Sequence, residues 1–200
     1  MDTELQAKAY AEADFSLSDQ ALIKRLDAYL RKTGKNLDEK SFLLDLGCGP
    51  GNITERLAVN WPNCKVIGVD GAKEMLSIAL KRKKSSFSHL KRLEYQLLNI
   101  REFANGLQSF DSLANVIVSN SLLHHLHQPS VFWKTIKYLA APGAIILVRD
   151  LRRPSSLKKA AQLEKKLLPK SPTILKRDFL ASLQAAFTID EVKNQLIDQA

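Results

Sequence analysis

Leu43-Leu-Asp-Leu-Gly-Cys-Gly-Pro-Gly51 is the stretch whose reading decides the architecture. With Ser41 and Phe42 before it, a short apolar run meets three glycines at alternate positions. Such a run, with no alternation of polar and apolar residues, is what a parallel strand buried on both faces requires. Glycines directly after a strand let the chain turn sharply and let a ligand approach the backbone with no Cβ in the way. A helix is expected next over 52–61, with Ile53, Leu57, Ala58 and Trp61 on one side, broken by Pro62 and Asn63.

The pattern repeats outward from that stretch. Lys65 to Asp70 reads as a second strand, and a helix over 72–84 turns Met75, Leu76, Ala79 and Leu80 inward. Arg92–Leu98 and Ser112–Ser119 read as strands three and four. Pro129 opens a helix at a position where its missing N–H costs nothing, and Phe132, Trp133, Ile136 and Leu139 form its apolar face. Pro142-Gly143 stops that helix, and Ala144–Val148 is the fifth strand. Strands alternating with helices predict an α/β, Rossmann-like three-layer sandwich around a parallel sheet. Residues 1–35 read as helical, with Ser16 and Asp19 at capping-box spacing and Gly34 as the stop. Beyond Asp150 only helical patterns occur, near 156–168, 176–186 and 189–199, the last with Thr188 and Glu191 again at capping-box spacing.

The chain has 200 residues, 45% hydrophobic and 26% charged, as for a single globular domain. No apolar run approaches the roughly 18 residues of a membrane span, and the polar, acid-bearing start does not resemble a signal peptide. Cys48 and Cys64 are too few for a disulfide framework, so a cytoplasmic location is expected. The net charge of +9 is concentrated in two stretches. Lys81–Arg92 carries six basic residues and no acid. Arg149–Arg177 carries ten, against Asp150 and Glu164. Together they exceed the whole net charge, so the rest of the chain is acidic on balance. The first stretch closes a helix at the amino end of the sheet and reads as a solvated face. The second begins at the carboxyl edge of the sheet, and Lys158, Lys159, Lys165 and Lys166 look like one polar helix face.

The glycine loop opens a helix whose first N–H groups and dipole suit an anion. Asp70 ends the next strand, 19 residues after Gly51, where an acid can accept both hydroxyls of a ribose. A dinucleotide fingerprint would require glycine at position 52, which is asparagine. The arrangement G-x-G-x-G with Asp45 ahead of it resembles instead the first motif of class I S-adenosylmethionine-dependent methyltransferases, small-molecule type. Val69-Asp-Gly-Ala72 with Met75 and Leu76 resembles their second motif. Phe110-Asp111 with Val118-Ser-Asn-Ser-Leu-Leu-His-His-Leu126 resembles the segment of their fourth strand, and Pro142-Gly-Ala144 the turn before the fifth.

That resemblance, over residues 40–150, implies strand order 3-2-1-4-5 and S-adenosyl-L-methionine (product S-adenosyl-L-homocysteine) across the carboxyl ends of strands 1, 2 and 4. It places Asp45 and Gly47 by the methionine moiety and has Gly49 and Gly51 shape the loop. Asp70 would hold the ribose, and Gly71 and Met75 would flank the adenine. Asn99 or the Ile100 backbone would meet the adenine amino group, and Ser119 and Asn120 would lie beneath the methionine part. It also implies a lid in the amino-terminal segment, with Tyr10 and Phe15 touching the substrate.

His124, His125 and His127 follow strand four at the catalytic edge, where a neutral imidazole can take a proton near pH 7. His124 and His125 are the candidate catalytic residues. With no cysteine or carboxylate beside them in sequence, no metal is expected. No Asn/Asp-Pro-Pro-aromatic run follows strand four, which favours a small-molecule acceptor over nucleic acid, and Arg152 and Arg153 are the candidate grips for an anionic one. The alternatives are an RNA or tRNA methyltransferase using the 149–177 stretch, or a cofactor-binding module without catalysis. The family usually closes its sheet with two further strands. These are not found here, so either the sequence is part of a longer one or the sheet ends at strand five, with an open edge offering a surface for a homo-oligomer. One domain is expected, with a helical lid over 1–35, a cofactor-binding core over 36–150 and a helical segment over 151–200.

Overall fold

The computed structural model describes residues 3–87, 89–107 and 109–198. The five strands are β1 (Phe42–Leu46), β2 (Lys65–Asp70), β3 (Leu93–Leu97), β4 (Ala114–Asn120) and β5 (Ala140–Arg149). They form one sheet in the order β3-β2-β1-β4-β5, with every pairing parallel. This is the predicted three-layer arrangement.

The central strands show why it forms. Successive side chains of a strand point to opposite faces, so β1 sends Leu43 one way and Phe42, Leu44 and Leu46 the other. On the first face lie Leu22, Ile23, Leu26 and Leu30 of α2 (Ser16–Lys32) with Ile53, Leu57 and Ala58 of α3 (Asn52–Asn60). On the second, Phe103 of α5 (Ile100–Ala104) joins Phe132, Trp133, Ile136 and Leu139 of α6 (Pro129–Leu139). Fully burying each such side chain stabilises the fold by about 1.5–3 kcal/mol. α1 (Glu4–Glu12) lies against α4 (Lys73–Ser86) and α8 (Thr173–Ala185), while α7 (Leu157–Leu167) packs on α8 and α9 (Ile189–Ile197) on α6.

Several local expectations change. The Ser16/Asp19 capping box does not form. The cap of α2 is Phe15 without a side-chain bond, the Ser16 N–H donates to Asp14 Oδ1 at 2.9 Å, and Asp19 is buried. Asp19 is drawn inward because a guanidinium waits there, as described below. Leu80 is 48% exposed rather than inward, since Met75, Leu76 and Ala79 already fill the α4 contact. β5 starts before Pro142-Gly143 instead of after it. Proline lacks a ladder N–H and Gly143 takes φ +72°, so the chain bulges there and the register against β4 shifts between Ala114 and Val116. The Thr188/Glu191 capping box is present in full. α5 and the 3₁₀ turn Leu123–His125 were not predicted: five and three residues are too short for a periodic pattern. The end of the predicted 189–199 helix reaches residue 199, outside the described residues. Among the described residues the sheet has five strands, and no helix is long and apolar enough to cross a membrane.

Candidate active site

At the carboxyl ends of β1, β2 and β4 the chain encloses a cavity of about 440 Å³, a size suited to a small ligand. Gly47, Gly49, Asp70, Gly71, Met75, Asn99, Ile100, Asn120, Tyr10 and His125, all candidates from the sequence, are brought together in its lining. Val69, Leu122 and Leu126, inside the quoted motifs but given no role there, join Leu98 and Phe103, outside them, in an apolar wall.

The glycine loop is shaped by backbone bonds to β2. The N–H groups of Gly47 and Cys48 both donate to the Val69 carbonyl, at 2.9 and 3.0 Å. Gly47, Gly49 and Gly51 all have positive φ, the region L side chains rarely adopt. Their surroundings differ. A Cβ on Gly47 would stand 2.9 Å from the Leu122 side chain, and one on Gly51 would enter the Tyr95 ring. A Cβ on Gly49 would meet nothing within 4 Å, so the loop is open at this cavity-lining residue, which was expected only to shape the loop.

Asp70 is set by the same loop. Gly49 N–H donates to its Oδ2 and Ala72 N–H to its Oδ1, both at 2.7 Å. Burial raises its pKa, and those backbone donors pull the other way. Asn99 caps α5, accepting the Arg101 N–H at 3.0 Å, so its amide oxygen is already partly engaged. The Ile100 carbonyl accepts from Thr135 Oγ1 at 3.0 Å.

Of the expected cofactor residues and the Tyr10–Phe15 pair, Gly51, Ser119, Asp45 and Phe15 do not line this cavity. Ser119 is fully buried and donates to the Leu46 carbonyl at 2.8 Å. It ties β4 to β1 beneath the cavity without lining it. Asp45 faces a smaller recess of about 40 Å³ shared with Tyr10, Phe15, Asp19, Gly49 and Asn120. It accepts Thr54 Oγ1 at 2.6 Å, and burial pushes its pKa up to about 7. Phe15 lines that recess, its ring 4.9 Å from Tyr10. Burial, and then Asp19, pushes the Tyr10 hydroxyl up to about 12. Of the amino-terminal segment, Tyr10 lines both the cavity and the recess and Phe15 the recess alone, while α2 belongs to the layer that covers the sheet.

The histidines separate. His124 is 6% exposed, with Nδ1 2.6 Å from Asp150 Oδ1. Asp150 also accepts the N–H groups of Leu123 and Leu151, each at 2.7 Å. His124 is thus a structural anchor of the 3₁₀ turn and stays out of the cavity. Its neighbour His125, whose ring is tilted 39° to it at 4.1 Å between centroids, lines the cavity. Ser121, at φ +59°, is the one non-glycine residue with positive φ among those described, and it makes the corner from β4 into this turn. Asp150 follows the fifth strand directly, and that position was the available clue to its role.

The arginines also separate. Arg152 is exposed and meets Phe187 through its backbone, and Arg153 pairs with the capping-box Glu191. Neither lines the cavity, because the chain turns away after Asp150. Arg82, inside the stretch read as a solvated face, binds Asn52 and the buried Glu55 instead. Lys158, Lys159, Lys165 and Lys166 are exposed on α7, as read. Among the described residues no group of three His, Cys, Asp or Glu side chains is placed to hold a metal.

A family model described as a methyltransferase domain matches residues 37–196. The chain belongs to that family. Among curated relatives, the trans-aconitate 2-methyltransferase of Azoarcus sp. (strain BH72) is 27% identical over 113 residues, 56% of this chain and 40% of that protein. The malonyl-[acyl-carrier protein] O-methyltransferase of Bacillus cytotoxicus is 30% identical over 105 residues, 52% of this chain and 33% of that protein. The chain thus spans well under half the length of these relatives. Among solved structures, the plantazolicin methyltransferase BpumL with a desmethyl analogue and SAH superimposes with a TM-score of 0.72 at 16% identity. The match covers 96% of this methyltransferase-family chain and 66% of that one. A SAM-dependent methyltransferase from Aquifex aeolicus gives 0.64 at 20%, over 98% and 87%. At such identities the structures establish the shared fold.

Proposed function

We propose that this protein binds S-adenosylmethionine in the cavity above β1, β2 and β4 and methylates a small carboxylate. The observation that carries the cofactor reading is Asp70: a carboxylate at the tip of β2, fixed by two backbone N–H groups, lining a cavity that is open at Gly49. A ribose needs such an acceptor. The apolar wall of Val69, Met75, Leu98 and Phe103 suits a purine, and Asn99 and Ile100 stand at its polar edge. The recess at Asp45, Cys48 and Asn120 suits the amino-acid end.

When bound, the cofactor supplies a sulfonium methyl group for in-line displacement. The residues of this chain contribute position and exclusion of water. Tyr10 and Phe15 roof the site, and His125, Ser121 and Leu122 line it beyond β4. Well-oriented reactants gain much of their rate from geometry alone. The relatives named for aconitate and malonyl substrates favour an acidic acceptor. A carboxylate is already deprotonated near pH 7, so it attacks without a base. His125 then serves as a hydrogen-bond donor that orients the acceptor. A hydroxyl or amine acceptor would need His125 to take a proton instead.

The test is turnover with a panel of di- and tricarboxylates, following S-adenosylhomocysteine and the methyl ester by mass spectrometry. Ester formation whose rate constant is flat from pH 6.5 to 8 is expected. Turnover confined to hydroxyl or amine acceptors, with a rate rising through the imidazole range, would replace the carboxylate reading. A salt-sensitive RNA shift would favour the nucleic-acid alternative. Tight cofactor binding with no turnover would favour a module without catalysis.

A further inference from the structure

The last residue of β5, Arg149, sends its guanidinium in three directions. Nε donates to Asn120 Oδ1 at 2.7 Å, Nη1 to the Ser18 carbonyl, and Nη2 lies 3.4 Å from Asp19 Oδ1. Asn120 lines both the cavity and its recess. Ser18 and Asp19 lie in the first turns of α2, directly after the Tyr10–Phe15 roof. The backbone of Arg149 is engaged separately, pairing with Asn120 in the β4–β5 ladder and accepting the Ser121 N–H at 2.9 Å. The sheet therefore does not need this side chain; the junction of floor and roof does.

We propose that Arg149 is a positioning residue of the cofactor site, a clasp that holds the Asn120 carboxamide and the amino-terminal roof in one arrangement. The proposal rests on the cofactor reading above. The chemistry requires arginine: a planar fork with five donors serves three acceptors in fixed directions, which an ammonium does not. Asp19 is only 3% exposed, and burial of a carboxylate is tolerated when a cation meets it. Without the guanidinium, Asp19 would be left buried with no cation bonded to it, Arg56 and Arg82 acting on it through charge alone. The relief open to it is for the start of α2 to lift into water, taking Tyr10 and Phe15 along. Cofactor affinity and roof closure are thereby linked through a residue that lines neither the cavity nor the recess.

The test uses the full chain and the Arg149→Lys, Arg149→Gln and Asp19→Asn variants, with S-adenosylhomocysteine as probe. Calorimetry is paired with amide exchange, with and without the probe. Breaking a charge-assisted network of this kind should weaken probe binding about tenfold or more in Arg149→Gln, with Lys restoring little. Asp19→Asn/Arg149→Gln should be no weaker than Arg149→Gln alone, because the two residues act as a unit. Without probe, exchange over residues 4–20 should already be faster in Arg149→Gln while β4 stays protected. Parent-like roof exchange in probe-free Arg149→Gln overturns the clasp. If the parent fails to bind the probe, the cofactor reading falls, while the probe-free exchange still decides the clasp. Arg149→Lys keeps the test valid if the glutamine variant does not fold.

Discussion

The two sides of the cavity are built by different means. On the β1–β2 side, residues 43–72 make the site almost entirely from backbone: three positive-φ glycines, two N–H groups on the Val69 carbonyl and two more on Asp70. On the β4–β5 side it is made by side chains that meet across long sequence separations. Asp150 reaches back to Leu123 and His124, and Arg149 to Asn120, Ser18 and Asp19. The first side is specified by short-range geometry and serves as a rigid platform. The second depends on buried charge networks, where removal of one member leaves another unsatisfied.

Substitutions can break this contrast. The largest effect is expected at Gly51, where alanine must adopt φ near +91° and drive its Cβ into Tyr95. Strain and overpacking together should cost about 2–4 kcal/mol of stability by denaturant unfolding. A parent-like midpoint would mean that the loop does not need its glycine. Next comes the histidine pair. His125→Ala should raise the acceptor KM about tenfold with a smaller change in kcat, as for loss of one good hydrogen bond. His124→Ala should act on stability, because it removes a partner of Asp150. Equal kinetic effects from the two would contradict the division of roles.

A smaller effect is expected in the pH dependence. Burial raises Asp45 from an ordinary 3.8 to about 7, so the folded protein keeps this proton longer than the unfolded chain does. Its contribution to stability is then greatest at low pH and declines as pH rises from about 4 to 7. Asp45→Asn should remove that decline, giving a flatter stability curve than the parent over this window. Parallel curves would place the proton elsewhere. The smallest effect is expected at Arg152, which is exposed and outside the cavity. Arg152→Ala should stay within about 0.5 kcal/mol of the parent in stability and leave acceptor KM unchanged.

The contrast also explains what was readable in the sequence. Gly47, Gly49, Gly51 and Asp70 could be placed because each is demanded by a turn, a close approach or a strand end, all short-range requirements. The α2, α3 and α6 faces followed from periodicity, and the strand order from the family resemblance. Asp19 stands at capping-box spacing, but its partner is Arg149, 130 residues away. His124 and His125 are indistinguishable as letters, and Asp150 decides which of them is buried. Arg153 looked free until the α9 cap brought Glu191 to it. Side-chain networks that span the chain have no local pattern, so their members were found but their roles were not.

The most direct test of the central claim, that the platform at β2 holds the ribose of S-adenosylmethionine, is calorimetry of S-adenosylhomocysteine binding to the parent, Asp70→Ala and Asp70→Asn. Each variant is first checked by its unfolding curve, since Asp70 also secures the loop through Gly49 and Ala72. Two charge-assisted hydrogen bonds predict a loss of about 2–4 kcal/mol in Asp70→Ala and an intermediate loss in Asp70→Asn. A folded Asp70→Ala protein that binds with the parent's affinity would contradict the account.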